Sequence, residues 1–211
     1  MKSVLYKWLY CVHHCIQRLW TKGEQKLLDV HAKGYCLLKG VKFNPQKVSF
    51  FGKVRLNIQK DSTVNLGEDF ICRSGCKYGT VTNERESVIT VCSGAEFVVG
   101  HHSGMSNVNI YCSKSIHIGN HVNIGSGTVI YDTDFHSLNA EDRKIGVDIK
   151  KRKELPVVIK DLAFIGARCI ILKGVTIGEK SIIGAGSVVA CNVPDNEIWG
   201  GNPAKFIRKA M

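Results

Sequence analysis

Residues 159–189 read IKDLAF-IGARCI-ILKGVT-IGEKSI-IGAGSV-V, and along them Ile159, Ile165, Ile171, Ile177, Ile183 and Val189 stand six apart without a break. One position later come Gly166, Leu172, Gly178 and Gly184. Two positions before each aliphatic stand Val157, Ala163, Cys169, Val175, Ser181 and Ser187, all small or branched. This period is neither the 3.6 of an amphipathic helix nor the 2 of an alternating strand. A buried aliphatic every six residues predicts a chain that turns a corner every six, and a glycine just after the aliphatic offers backbone freedom for that corner. Three short sides close one coil of about eighteen residues, and stacked coils bury one column of Ile and Val. The repeat therefore specifies an all-β parallel β-helix and leaves its hand open.

Upstream the phase persists. Ile118, Ile124 and Ile130 follow Ile116, Val122 and Thr128, with Gly119 and Gly125 after the first two. Gly100 lies three hexads and one inserted residue before Gly119, and Val64, Leu66 and Gly67 begin the pattern faintly. Residues 23–60 carry no clean phase; Gly34, Gly40 and Gly52 suggest irregular early turns. Two segments break the period. Residues 79–87 are polar and read as a loop thrown out from a corner. Residues 132–156 form a longer excursion that holds Asp132, Asp134, His136 and the run Lys150-Lys151-Arg152-Lys153. A long excursion from a rigid solenoid is where chemistry is expected.

The composition agrees. The 22 Val and 20 Ile outnumber 13 Leu, 7 of which precede residue 40, so β-formers dominate all but the front of the chain. A helical bundle is excluded, and no apolar run is long enough for a transmembrane helix. Leu5, Trp8, Leu9, Val12, Ile16 and Leu19 recur at helical spacing with Lys2, Lys7, Arg18 and Lys22 elsewhere on the wheel. They predict an amphipathic helical segment over 1–30, ahead of a β-helix over 31–194 and a tail over 195–211. That helix packs on its own or a sister subunit, with peripheral membrane contact through residues 1–22 as the second reading. The net charge of +11 attracts anions, but no nucleic-acid recognition motif accompanies it. Nine cysteines are an odd count that fits reduced, core-filling thiols and a cytoplasmic setting. Cys72 with Cys76, and Cys11 with Cys15, miss the usual zinc spacings, so no metal is expected.

The Ile-Gly hexads, the run from Ile130 through Asp134 and Phe135 to His136, Phe164-Ile165-Gly166, Val193-Pro194 and the closing Gly200-Gly201-Asn202-Pro203-Ala204-Lys205 together resemble the hexapeptide-repeat O-acetyltransferases, of the maltose/galactoside and polysaccharide types. The resemblance covers about residues 95–210. It implies a left-handed β-helix, a homotrimer with sites between subunits, acetyl-coenzyme A as donor, and transfer of acetyl to a sugar or polysaccharide hydroxyl. His136 matches the family's catalytic histidine and is expected to be the general base. Asn107 matches an acceptor-contacting asparagine; Cys112 stands where the family has a carboxylate, and Asp132 or Asp134 is expected to supply that contact or orient His136. The family's coenzyme contacts fall on Gly166, Ala167, Gly184, Ala185, Ala190, Cys191, Lys205 and Arg208, the last two facing phosphates. Ala190-Cys191 departs from a common Thr-Lys, and Phe164 replaces a frequent Trp. Two rival readings stay open: N-acetylation of an amino-sugar nucleotide, and a non-catalytic trimeric scaffold.

Overall fold

The computed structural model describes residues 21–76 and 86–210. Residues 21–38 form helix α1. The helical segment thus runs eight residues past the expected boundary at 30, because Ala32 and Cys36 continue a buried face at helical spacing. The expected loop at 79–87 falls mostly outside the described residues, as does most of the amphipathic pattern over 1–22.

After α1 the chain winds around three parallel sheets, visiting each in turn. Face one stacks β1 (Ser49–Phe51), β4 (Ile71–Arg73), β7 (Gly104–Ser106), β10 (Asn123–Ile124), β13 (Phe164–Ile165), β16 (Ile182–Ile183) and β18 (Glu197–Gly201). Face two stacks β2 (Arg55–Ile58), β5 (Val88–Val91), β8 (Asn109–Cys112), β11 (Val129–Tyr131), β14 (Ile170–Ile171) and β17 (Val188–Val189). Face three stacks β3 (Thr63–Leu66), β6 (Glu96–Val99), β9 (Ser115–Ile118), β12 (Val157–Ile159) and β15 (Thr176–Ile177). The tail closes face one: β19 (Ala204–Lys209) folds back antiparallel on β18.

The hexad aliphatics lie in register from coil to coil. Ile118, Ile159 and Ile177 pair in one column, Ile124, Ile165 and Ile183 in the second, Ile130, Ile171 and Val189 in the third. All nine are buried, as are the small residues two positions before them. Burying each aliphatic side chain contributes on the order of 1.5–3 kcal/mol, so this column dominates the stability of the stack.

The hexad glycines have a different reason from the one the sequence suggests. None of Gly67, Gly100, Gly119, Gly125, Gly166 and Gly178 has a positive φ. A Cβ on Gly166 would instead come within 2.5 Å of the Ala185 nitrogen in the next coil, and one on Gly125 within 2.5 Å of the Ala167 nitrogen. These glycines let backbone lie on backbone. The left-handed turn residue comes two positions later: His102, His121, Leu162, Arg168 and Lys180 all have φ between 54° and 62°. Most are side chains for which that conformation costs about 1 kcal/mol or more. Corner closure therefore tolerates a side chain, and coil stacking does not.

Candidate active site

The excursion leaves the end of β11 and rejoins at β12, so it projects from the corner between faces two and three. Asp132 roots it. Its carboxylate is fully buried and accepts hydrogen bonds from the amides of Ser113, Lys114 and Ser115, each at 2.7 Å, on the same corner of the preceding coil. Burial pushes this carboxyl up from the ordinary aspartate range, and the three amide bonds pull it back. The two arms then zip together: Leu155 N–H donates to Asp132 O, and Asp134 N–H to Lys153 O. Glu154 fastens the returning arm by accepting from Ser113 Oγ at 2.5 Å and Arg152 Nε at 2.7 Å. Burial works against its charge, but these donors leave the carboxyl below the usual range.

Phe135 takes a left-handed backbone, φ 61°, and folds its ring back over face two. Its centroid lies 4.9 Å from that of Tyr111 and 5.4 Å from that of Tyr131. Those tyrosines are cross-strand neighbours on β8 and β11. The rings are tilted by 60° and 56°, and aromatic pairs at such distances contribute about 0.5–1.5 kcal/mol beyond area burial. The neighbouring residue, His136, is thereby presented outward with its side chain 61% exposed.

The imidazole is oriented from behind. His136 Nδ1 bonds the carboxylate of Asp148, which is itself only 14% exposed. That bond holds the Asp148 carboxyl below the usual range. A carboxylate partner assigns the proton to Nδ1 and leaves the Nε2 lone pair free, the arrangement a general base needs. Asp148 is held in turn by the Ser137 N–H, which donates to its carbonyl, and Ser137 Oγ donates to Asp142. Lys151 closes on Asp142 at 2.6 Å, and that contact, with the Ser137 hydroxyl, holds the Asp142 carboxyl low. The basic run over 150–153 thus has occupations inside the excursion: Lys151 on Asp142 and Arg152 on Glu154.

The expected site residues do not form one cluster in a single chain. His136, Asp132 and Asp134 share the excursion, and Ala190 and Cys191 lie exposed on the same corner, further along the stack. Asp134 pairs with Lys173 at 2.7 Å, and its other carboxylate oxygen is buried without a partner. Gly166, Ala167, Gly184 and Ala185 lie on the corner between faces one and two, and so does Asn107. Asn107 is buried at φ 45°; its Oδ1 accepts from Gly75 N–H at 2.7 Å, and its Nδ2 is buried without a partner. Lys205 and Arg208 lie exposed on β19, and neither forms an ion pair among the described residues. His101 and His102 sit on the third corner, where His102 pairs with Asp69 and stacks on His121. No group of three or more His, Cys, Asp or Glu among the described residues is placed to hold a metal ion.

Comparison with known proteins places this geometry. The family described as bacterial transferase hexapeptide (six repeats) matches residues 156–191. A galactoside O-acetyltransferase from Lactococcus lactis is 38% identical over 103 residues, 49% of this chain and 47% of that protein. The galactoside O-acetyltransferase of Escherichia coli is 34% identical over 103 residues, 49% of this chain and 48% of its own. The chain spans about half the length of the curated relatives it matches. Among solved structures, a hexapeptide-repeat-containing acetyltransferase from Vibrio cholerae complexed with acetyl-coenzyme A is 30% identical, with 74% of this chain and 71% of that one covered at a TM-score of 0.50. AntD, an N-acyltransferase from Bacillus cereus solved with dTDP-4-amino-4,6-dideoxyglucose and coenzyme A, shares the fold at 21% identity and a TM-score of 0.61, over 79% of this chain and 82% of its own. The chain belongs to the hexapeptide-repeat acetyltransferases.

Proposed function

We propose that the protein transfers an acetyl group from acetyl-coenzyme A to a hydroxyl of a carbohydrate, with His136 as general base. The observation that carries the reading is the pairing of an outward imidazole with the shielded Asp148 carboxylate, just beyond the zipped arms of a loop rooted through Asp132. The acceptor hydroxyl gives its proton to Nε2 as its oxygen attacks the thioester carbonyl. The tetrahedral oxyanion collapses, the carbon–sulfur bond breaks, and the imidazolium returns the proton to the leaving thiolate. Asp148 steadies the imidazolium between those two transfers.

Asp132 is fully occupied by three backbone amides, so the reading assigns it to rooting the loop. The acceptor contact rests better on the half-exposed ring of Phe135, against which a sugar face stacks, than on Asp134, whose carboxylate is held by Lys173 on one oxygen and buried on the other. Exposed Ala185, Ala190 and Cys191 leave room for a pantetheine arm, and Lys205 and Arg208, which form no ion pair among the described residues, suit the coenzyme's phosphates. Gly166 is explained by coil stacking alone and adds nothing to that case. Because these residues divide between two corners, a complete site needs a second copy of the chain beside the first, which supports the homotrimer. The test is acceptor-dependent release of coenzyme A thiol over panels of sugar hydroxyls and sugar amines. Release with hydroxyl acceptors is expected. Release with amines alone would replace this reading with N-acetylation, and no release with either would leave a scaffold.

A further inference from the structure

Helix α1 has two faces with opposite fates. Its inner face is fastened to the first coil: Gln25 Nε2 donates to Phe50 O at 2.6 Å, Gln25 Oε1 accepts from Gly52 N–H, and Asp29 accepts from Phe50 N–H. Ala32 and Cys36 enter the core beside them. On the outer face Leu27, Val30, Leu37 and Leu38 fall on one stripe with Gly34 between them. They are 69%, 57%, 58% and 88% exposed, and Leu38 is the most exposed large hydrophobic among the described residues. A solvated stripe of this size on a helix otherwise held rigidly is costly to leave in water.

The surroundings of the stripe are more cationic than acidic: Asp29 is paired with Lys33, which leaves Glu24 as the acidic side chain near Lys22 and Lys26. Lys26 borders it, and Lys26 and Lys22 line, together with Asp29, an open concavity of about 560 Å³ between α1 and β1; neither lysine forms an ion pair among the described residues. On the other side Leu27, Leu28, Tyr35 and Leu56 line an apolar hollow of about 500 Å³, with Lys53 and Arg55 in its wall. Glu86 is the shared partner of both cations, so that trio keeps a net positive charge. We propose that this end of the molecule docks on an anionic lipid surface, with the α1 stripe entering the interfacial layer and Lys22 and Lys26 meeting headgroup phosphates. Apolar insertion and basic side chains contribute together in such contacts. A second copy is the poorer occupant, because a two-fold contact through this face would set Lys22 and Lys26 of one copy against those of the other.

The test uses the full chain and vesicles of phosphatidylcholine with and without phosphatidylglycerol. The wild type is expected to sediment with the anionic vesicles and to be released by salt. Leu27→Glu/Leu38→Glu is expected to lower that partitioning at least about tenfold with an unchanged circular dichroism spectrum, since both side chains are largely exposed. Lys22→Glu/Lys26→Glu is expected to weaken binding to the anionic vesicles only. Three results overturn the proposal. In the first, the wild type fails to bind anionic vesicles. In the second, the leucine variant binds as well as the wild type, so any contact lies elsewhere in the chain. In the third, the leucine variant changes oligomeric state by light scattering while vesicle binding stays equal, so a second copy covers the stripe.

Discussion

The coil stack and the excursion over 132–156 obey different rules. In the stack, each position answers to the coil above and below: Ile165 lies between Ile124 and Ile183, and Gly166 is glycine because Ala185 presses on it. In the excursion, no position repeats, and the structure is held by polar side chains that find partners across the loop. Asp148 reaches back to His136, Asp142 to Ser137 and Lys151, Glu154 to Ser113 and Arg152. The contrast teaches where each kind of failure appears. A fault in the stack unfolds coils, whereas a fault in the excursion misplaces one imidazole on an intact frame.

The sharpest way to break the contrast is His136→Ala. Turnover is expected to fall about a thousandfold, within the usual range for a lost general base, with the thermal midpoint unchanged. Near-normal turnover would remove the excursion from the chemistry. Next in size is Gly166→Ala, which forces a Cβ against the Ala185 backbone. A loss of about 2–3 kcal/mol in denaturant stability is expected, with Gly34→Ala in α1, where nothing lies within 4 Å, gaining roughly 0.5–1 kcal/mol as the control. Equal effects of the two alanines would mean that stacking does not set the glycine positions.

Asp148→Asn is expected to lower kcat by about ten- to a hundredfold, leaving KM for acetyl-coenzyme A and the global stability unchanged. An equal loss on the two sides, activity and stability, would make Asp148 a structural residue only. Phe135→Ala is expected to raise the acceptor KM roughly tenfold with little change in the donor KM, because the ring at stake lies over Tyr111 and Tyr131 beside the imidazole. The smallest effect is one of pH. The carboxyls of Asp142 and Asp148 are held below the usual range by Lys151 and His136. Their contribution is full above the unfolded value and is lost as the pH falls through the lower folded values, below about pH 4. Hydrogen exchange should then show amides over 132–156 losing protection before those of the coil strands.

Much of the stack was legible from sequence because a six-residue period survives translation into structure: Ile159 pairs with Ile177, Ile165 with Ile183 and Ile171 with Val189, each eighteen residues on, in agreement with one turn per three hexads. The glycines were legible in position and misread in cause, since a sequence shows that a side chain is missing and not whether torsion or crowding excludes it. In the excursion only His136, Asp132 and Asp134 stood out. Asp148 carried no signal, being one of several carboxylates in a charged loop, and its pairing across twelve residues follows from how the two arms zip.

Sequence by itself determined the β-helix, the column of branched aliphatics and the break at 132, because each is a local pattern or a spacing along the chain, while His136 was marked as the candidate base by the family resemblance. Only the tertiary structure decided which carboxylate orients His136, that Asp132 is consumed by rooting the loop, that α1 reaches residue 38, and that Leu27, Val30, Leu37 and Leu38 stay in solvent. Those outcomes depend on which side chains meet across closed coils. That is a matter of distance in space, and a one-dimensional spacing does not encode it.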